Sequence, residues 1–296
     1  MSMKMRFKLL TIAVVAAGIA FALPTIVAAG DWGNIKGRVV WGGDKLPDNP
    51  QLDVSKDAEH CLGAGPIKDE TFVVNPKTKG VRHVFVYLRF KGKPVIHPDF
   101  PQSTADVEAA DKAAFEKMNG FKIEQVGAKI AEGKVQVKDL KAAVVMDQLR
   151  CTYVPHALAM REGQKILVLN KEPITHNVKV SSQSGKNDAN PNLPPNSYQF
   201  FSWVEEKSTI KVECSIHGWM RMNAMCFEHP YFNVTDENGA FELKNVPAGE
   251  LEIVIRHPPG SFVDAVKGGK GSARGAKIKV EANGTLDLGD IKFTNE

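Results

Sequence analysis

Cys214, His217 and Met220 recur at intervals of three in the segment Val212-Glu213-Cys214-Ser215-Ile216-His217-Gly218-Trp219-Met220. A thiolate, an imidazole and a thioether from one short stretch are soft to borderline donors. They suit copper better than any hard cation. An electron-transfer copper takes two imidazoles and a thiolate in a roughly trigonal plane, with a long, weak thioether on the axis. The second imidazole must come from a neighbouring strand. His176, in Asn170-Lys171-Glu172-Pro173-Ile174-Thr175-His176-Asn177-Val178, is the candidate because it follows an apolar run over residues 166–169. Structural zinc, the main competitor, takes four Cys or His donors and rarely a thioether, so Met220 weighs for copper. Singly, a strand-end Cys is usually a small buried hydrophobe and a Met is core filler. Only their order, spacing and strand context together mark a site.

The surrounding elements read as short alternating strands over residues 35–41, 71–74, 81–90, 165–170 and 209–214, broken by Gly, Pro, Asn and Asp. The fold class is therefore all-β, built of antiparallel sandwich. One surface helix is the exception. Val107, Ala110, Ala114 and Met118 recur at helical spacing after the cap residue Ser103. It lies in a charged, weakly patterned stretch, 91–140, that reads as an insertion between β units. Residues 181–197 are polar and rich in Asn, Pro and Ser, which predicts an exposed loop.

The ligand segment resembles the cupredoxins, the blue copper proteins, and within them the amicyanin-like members with the same short Cys, two residues, His, two residues, Met loop. Residues 154–164, beginning Val154-Pro155-His156-Ala157, look like the family's edge strand and hairpin, and His176-Asn177-Val178 like its first-ligand motif. The likeness covers about residues 144–227. It implies a Greek-key β-sandwich holding one type 1 copper, bound tightly by His176, Cys214 and His217 and weakly by Met220. It further implies that Asn177 braces the ligand loops, and that the protein is not an enzyme but passes single electrons between redox protein partners. Gly218 stands where such loops usually carry Pro, which loosens the loop. Gly218 and Trp219 would flank an exposed edge of His217 and form a docking patch. The multicopper oxidases use paired His-x-His motifs, and none of the eight histidines here stands two from another. Cys226 lies twelve residues after Cys214, beyond the ligand loop, so a dinuclear centre on one loop is not supported. A copper module for storage, delivery or sensing and a metal-free adhesion sandwich remain the alternatives.

A second resemblance follows the ligand loop. Residues 229–249, with the turns Asp236-Glu237-Asn238-Gly239 and Pro247-Ala248-Gly249, resemble a carboxypeptidase regulatory-like (transthyretin-like) β-sandwich. Such modules begin with a segment like Ile35-Lys36-Gly37-Arg38-Val39-Val40. The first strands are thus expected to pair with the last, with the copper domain inserted between them. The division is 1–30 signal peptide, 31–104 N-terminal β segment, 105–140 helical and charged insertion, 141–228 cupredoxin domain and 229–296 regulatory-like module.

Lys4, Arg6 and Lys8 precede an apolar run, Pro24 and the small residues Val27, Ala28, Ala29 and Gly30. This order is that of a secretory signal, with a retained anchor as the alternative. The mature chain would begin near Asp31, off the membrane, in a periplasm or outside the cell. There a Cys61–Cys151 disulfide can persist, with Cys226 a buried free thiol. The formal charge is +4, and without the three leader cations the remainder is near neutral. No nucleic-acid partner is expected. His156, His229 and His257 lack partners at ligand spacing and are read as structural.

Overall fold

The computed structural model describes residues 31–258, 261–262, 265–266, 269–270 and 275–294. The segment 1–30, read above as an export signal, lies outside them. Among the described residues no helix is long and apolar enough to cross a membrane.

Lys165–Asn170 carries the unbroken apolar run Ile-Leu-Val-Leu, and the alternation of a strand sends these residues to two faces. Ile166 and Val168 join the inner core of a sandwich, while Leu167 and Leu169 face a separate cluster with Phe115, Val126, Val137 and Leu140. Both faces must be covered. The 105–140 insertion covers the outer one, through the helix Thr104–Asn119 and the short helix Val126–Ala131. Ser103 caps the longer helix: its hydroxyl accepts the Asp106 N–H at 3.2 Å and the Asp106 carboxylate accepts the Ser103 N–H at 3.0 Å. The helix buries Val107, Asp111 and Phe115 and leaves Met118 exposed. Its inward face is thus rotated from the expected 107/110/114/118 stripe. Bulky Phe115 fills the gap over Leu167, and Asp111 is admitted because its carboxylate accepts the Lys165 N–H at 3.0 Å.

The sandwich has one sheet in the order Ser197–Ser202, Lys165–Asn170, Val144–Leu149, Thr152–Val154 and a second in the order Ala157–Arg161, Arg221–Phe227, Ile210–Glu213, Lys179–Ser181. Each contains one parallel pair, Val144–Leu149 with Lys165–Asn170 and Ala157–Arg161 with Arg221–Phe227. A second sandwich is built from both ends of the described chain. Trp32–Trp41 pairs antiparallel with Ala240–Pro247 and parallel with Thr285–Phe293. Facing it are Phe232–Val234, Phe85–Arg89, Gly249–His257 and Ala276–Val280. Among the described residues the protein is therefore all-β apart from the insertion helices and one further short helix, Ala58–Cys61.

The two sandwiches meet face to face. Phe85, Tyr87 and Val254 from the second pack on Ala157, Met225 and Phe227 from the first, while Val86 and Leu88 point back into their own core. This doubly buried strand again needs large apolar residues at every position. Each such side chain contributes roughly 1.5–3 kcal/mol by leaving water.

Candidate metal centre

The strand Ile210–Glu213 delivers Cys214 to the end of the first sandwich, where the loop 214–220 folds back on itself. Cys214 N–H donates to Met220 O at 3.0 Å, and Met220 N–H to His217 O at 2.9 Å. His176 begins the two-residue strand His176–Asn177, which pairs with Asn192–Leu193 so that His176 lies opposite Leu193. Most of the predicted loop 181–197 is exposed, as expected, but this pairing draws part of it inward. Leu193 and Asn187 are buried, because the segment must complete the backbone hydrogen bonds of the ligand strand. Asn177 ties the two ligand loops together: its Oδ1 accepts the Ser215 N–H at 2.6 Å, and its own N–H donates to Cys214 Sγ at 3.5 Å. Tyr153 fixes the same strand by donating to Asn177 O at 2.6 Å.

The ligand atoms of His176, Cys214 and His217 lie within 4.8 Å of one another, and all three residues are buried. The two Nδ1 atoms are 2.9 Å apart, and Cys214 Sγ is 3.7 Å from His217 Nδ1. Met220 is buried in the same core cluster as Cys214. On their far sides, His176 Nε2 meets Glu172 Oε2 at 2.6 Å and His217 Nε2 meets Asp57 Oδ2 at 2.9 Å. With Nε2 of each ring turned to a carboxylate, each Nδ1 is left facing inward, where an N–H···N hydrogen bond or a cation between the rings accounts for the 2.9 Å spacing. Two metal–nitrogen bonds of about 2.0–2.1 Å span such a gap.

The same contacts shift the titration of these groups. Burial alone would raise the Cys214 thiol, but hydrogen bonding to His176, His217 and the Asn177 N–H pulls it down to about 5. Burial likewise opposes ionisation of Glu172, yet hydrogen bonds from His176 and the Cys151 N–H hold its carboxyl below the ordinary range. His176 is raised: burial pushes it down, and Cys214 and Glu172 more than offset that.

Two residues of this centre were not found from the sequence. Glu172 stands four before His176 and accepts the Cys151 N–H at 3.0 and 3.2 Å, with His60 Nε2 at 3.3 Å from its other side. An acidic residue so close to a ligand histidine was a signal that could have been read. Asp57 gave none, being 160 residues from His217. It precedes the helix Ala58–Cys61 in the left-handed conformation, φ 49°, and its side chain does not cap that helix. The carboxylate is used on His217 instead. A disulfide between Cys61 and Cys151, with Cα atoms 5.4 Å apart, holds this helix against the metal sandwich.

That cover overturns the expected docking patch. His217 has no exposed surface, Trp219 is buried, and the Trp219 indole N–H donates to Cys151 O at 3.1 Å. Gly218 alone of the trio is exposed, because the 57–61 segment lies over the imidazole edge. Cys226 is a buried free thiol, its pKa pushed up chiefly by burial. His229 is buried among Phe227, Phe90 and Tyr231, and its Nδ1 accepts the Tyr231 N–H at 3.2 Å. His83, His156 and His257 are held neutral: burial is the largest cause, lowering His83 to about 3 and His156 and His257 to about 4. Repulsion between their charged forms adds to this, His156 and His257 acting on His83 and His156 acting on His257. Arg82 and Arg221 push His156 further down, against the pull of Asp69.

No protein-family model matches the chain, and no curated protein matches it. Among solved structures, a reduced Cu(I) form of an amicyanin variant aligns at 19% identity and TM-score 0.27, over 31% of this chain and 90% of amicyanin. A purple cupredoxin from Nitrosopumilus maritimus aligns at 20% identity and TM-score 0.25, over 28% of this chain and 98% of that one. A copper-containing nitrite reductase from Thermus scotoductus aligns at 17% identity and TM-score 0.27, over 30% of this chain and 23% of the reductase.

Proposed function

We propose that this chain is an exported one-electron carrier that holds a single type 1 copper with His176, Cys214, His217 and Met220. The observation that carries the reading is the pair of inward-facing Nδ1 atoms 2.9 Å apart beside the Cys214 sulfur, each ring turned by a carboxylate at Nε2. Copper, when bound, supplies a reversible one-electron change between its cupric and cuprous forms. The rest is the work of the chain. Cys214 provides a soft anionic donor, held in place by the Asn177 N–H. Glu172 and Asp57 fix the tautomer and direction of both imidazoles before any metal arrives. The burial of His176, Cys214 and His217 excludes water and holds the same donors in place for both oxidation states.

A carrier suits this donor set better than an enzyme, since all four positions are assigned to protein atoms. Redox proteins are the proposed partners. Export is supported by the basic, apolar and small-residue order of residues 1–30 and by the Cys61–Cys151 disulfide, which persists in oxidising compartments.

The test is the visible absorption of the purified mature protein loaded with Cu(II), with Cys214→Ala as control. An intense thiolate-to-copper band that disappears in the control is expected, together with reversible one-electron reduction. A colourless wild-type protein would remove electron transfer and leave a metal-free sandwich as the reading. A coloured protein that does not cycle reversibly would favour storage or delivery.

A further inference from the structure

Arg161 ends the strand Ala157–Arg161 and is only 6% exposed. Its Nε donates to Glu228 O at 3.2 Å and its Nη1 to Pro101 O at 2.7 Å. Both acceptors are neutral carbonyls. Among the described residues no carboxylate pairs with the guanidinium; Asp106 favours its charge without contacting it, being bound to Ser103 at the helix cap. Burial works against that charge, and a guanidinium does not shed its proton to escape. Buried charges are as a rule paired, so a buried arginine without a counter-ion points to an anion supplied from outside.

The surroundings of Arg161 say what kind of anion. It lines a cleft of about 340 Å³, near the lower end of the range of small-molecule sites, between the insertion helix and the two sandwiches. Val107, Ala110 and Ala114 of the helix Thr104–Asn119 form one wall, and Phe100 and Phe232 add aromatic surface. These three helix residues belong to the apolar stripe that was expected to face the core. The helix is turned so that Ala110 is exposed and Ala114 half-buried, and their small side chains leave the cleft open. The turn after Arg161 sets the helix in place. Lys165 N–H donates to Asp111 Oδ2 at 3.0 Å, and a Cβ on Gly163 would lie 2.6 Å from Thr104 O, so only glycine permits so close an approach. Asp111 lines the same cleft, and its Oδ1 is buried without a partner. A second negative charge on a ligand would meet this carboxylate.

We propose that this cleft binds a small monocarboxylate with an apolar body, its carboxylate on Arg161 and its hydrocarbon against the helix wall and Phe232. The guanidinium offers charge-assisted hydrogen bonds, and Asp111 selects for one carboxylate over two. The cleft shares no residue with the His176, Cys214 and His217 group, so the proposal does not depend on the copper reading.

The test is calorimetric titration of the full mature chain with hexanoate, and with hexan-1-ol and adipate as companions. Hexanoate is expected to bind about ten-fold or more tightly than either companion. Arg161→Gln should remove the preference for hexanoate over hexan-1-ol. Ala110→Phe, at an exposed helix position that leaves Arg161 untouched, should fill the cleft and weaken hexanoate about ten-fold or more. Should Arg161→Gln fail to fold because it loses the bonds to Glu228 and Pro101, Ala110→Phe carries the test by itself. The proposal is overturned if wild type shows no hexanoate binding at millimolar concentration, if either companion binds as well as hexanoate, or if Ala110→Phe keeps wild-type affinity.

Discussion

The two histidine clusters differ in what stands behind the rings. At the Cys214 centre each imidazole has a carboxylate on its outer nitrogen, Glu172 for His176 and Asp57 for His217, and the inner nitrogens converge to 2.9 Å. At the junction of the sandwiches His83 and His156 meet, and they, like His257, have unpartnered Nε2 atoms and no such convergence. An outer hydrogen bond fixes both the tautomer and the ring direction, so the first cluster is preorganised for a metal and the second is not. The lesson is that ligand identity alone does not make a tight site.

The largest expected effect tests what holds the first cluster's cover in place. Cys61 and Cys151 close a loop of 90 residues of sequence separation. Chain-entropy reasoning puts the stabilisation at about 4–5 kcal/mol as an upper figure. A Cys61→Ala, Cys151→Ala double variant should therefore unfold at markedly lower denaturant concentration, and a midpoint unchanged from wild type would show that the disulfide does not hold Asp57 and His60 in place.

Smaller is the effect of the carboxylates themselves. Glu172→Gln should weaken copper binding about 10–100-fold, measured by competition with a chelator. Asp57→Asn should cost less than Glu172→Gln, since the Asp57 side chain is 39% exposed and that of Glu172 6%. The reverse order would break the claim that buried outer hydrogen bonds do most of the preorganising.

The smallest effect belongs to the second cluster. His257→Phe removes a buried Nε2 without a partner and a hydrogen bond to the Pro258 backbone, while keeping a ring against Phe72 and Phe293, so the protein should change in stability by about 1 kcal/mol or less. A loss of several kcal/mol in thermal or urea unfolding would show that the bond to Pro258 carries structural weight and that the clusters are not so different.

Much of the centre was legible in the sequence because its parts are local. Cys214, His217 and Met220 share one loop, and His176-Asn177 follows an apolar run that could only be a buried strand. The helix was legible by its period and its Ser103 cap, but the inward stripe was rotated because Phe115 packs on Leu167, a contact no local pattern encodes. Glu172 was within sight and was passed over. Asp57 and His83 were not legible, since each acts on groups far away in the chain, and both sit at positive φ, which the sequence around them does not announce.

By itself, the sequence determined the alternation that makes the protein all-β and the order of soft donors on which the copper reading rests. These depend on residue type and on spacings of a few residues. Only the tertiary structure decided that the 57–61 segment buries His217, that Trp32–Trp41 pairs with Ala240–Pro247 and Thr285–Phe293, and that His83 and His156 meet where the sandwiches join. The physical reason is range: ligand order is written along a loop, but exposure and convergence depend on which distant surfaces pack together.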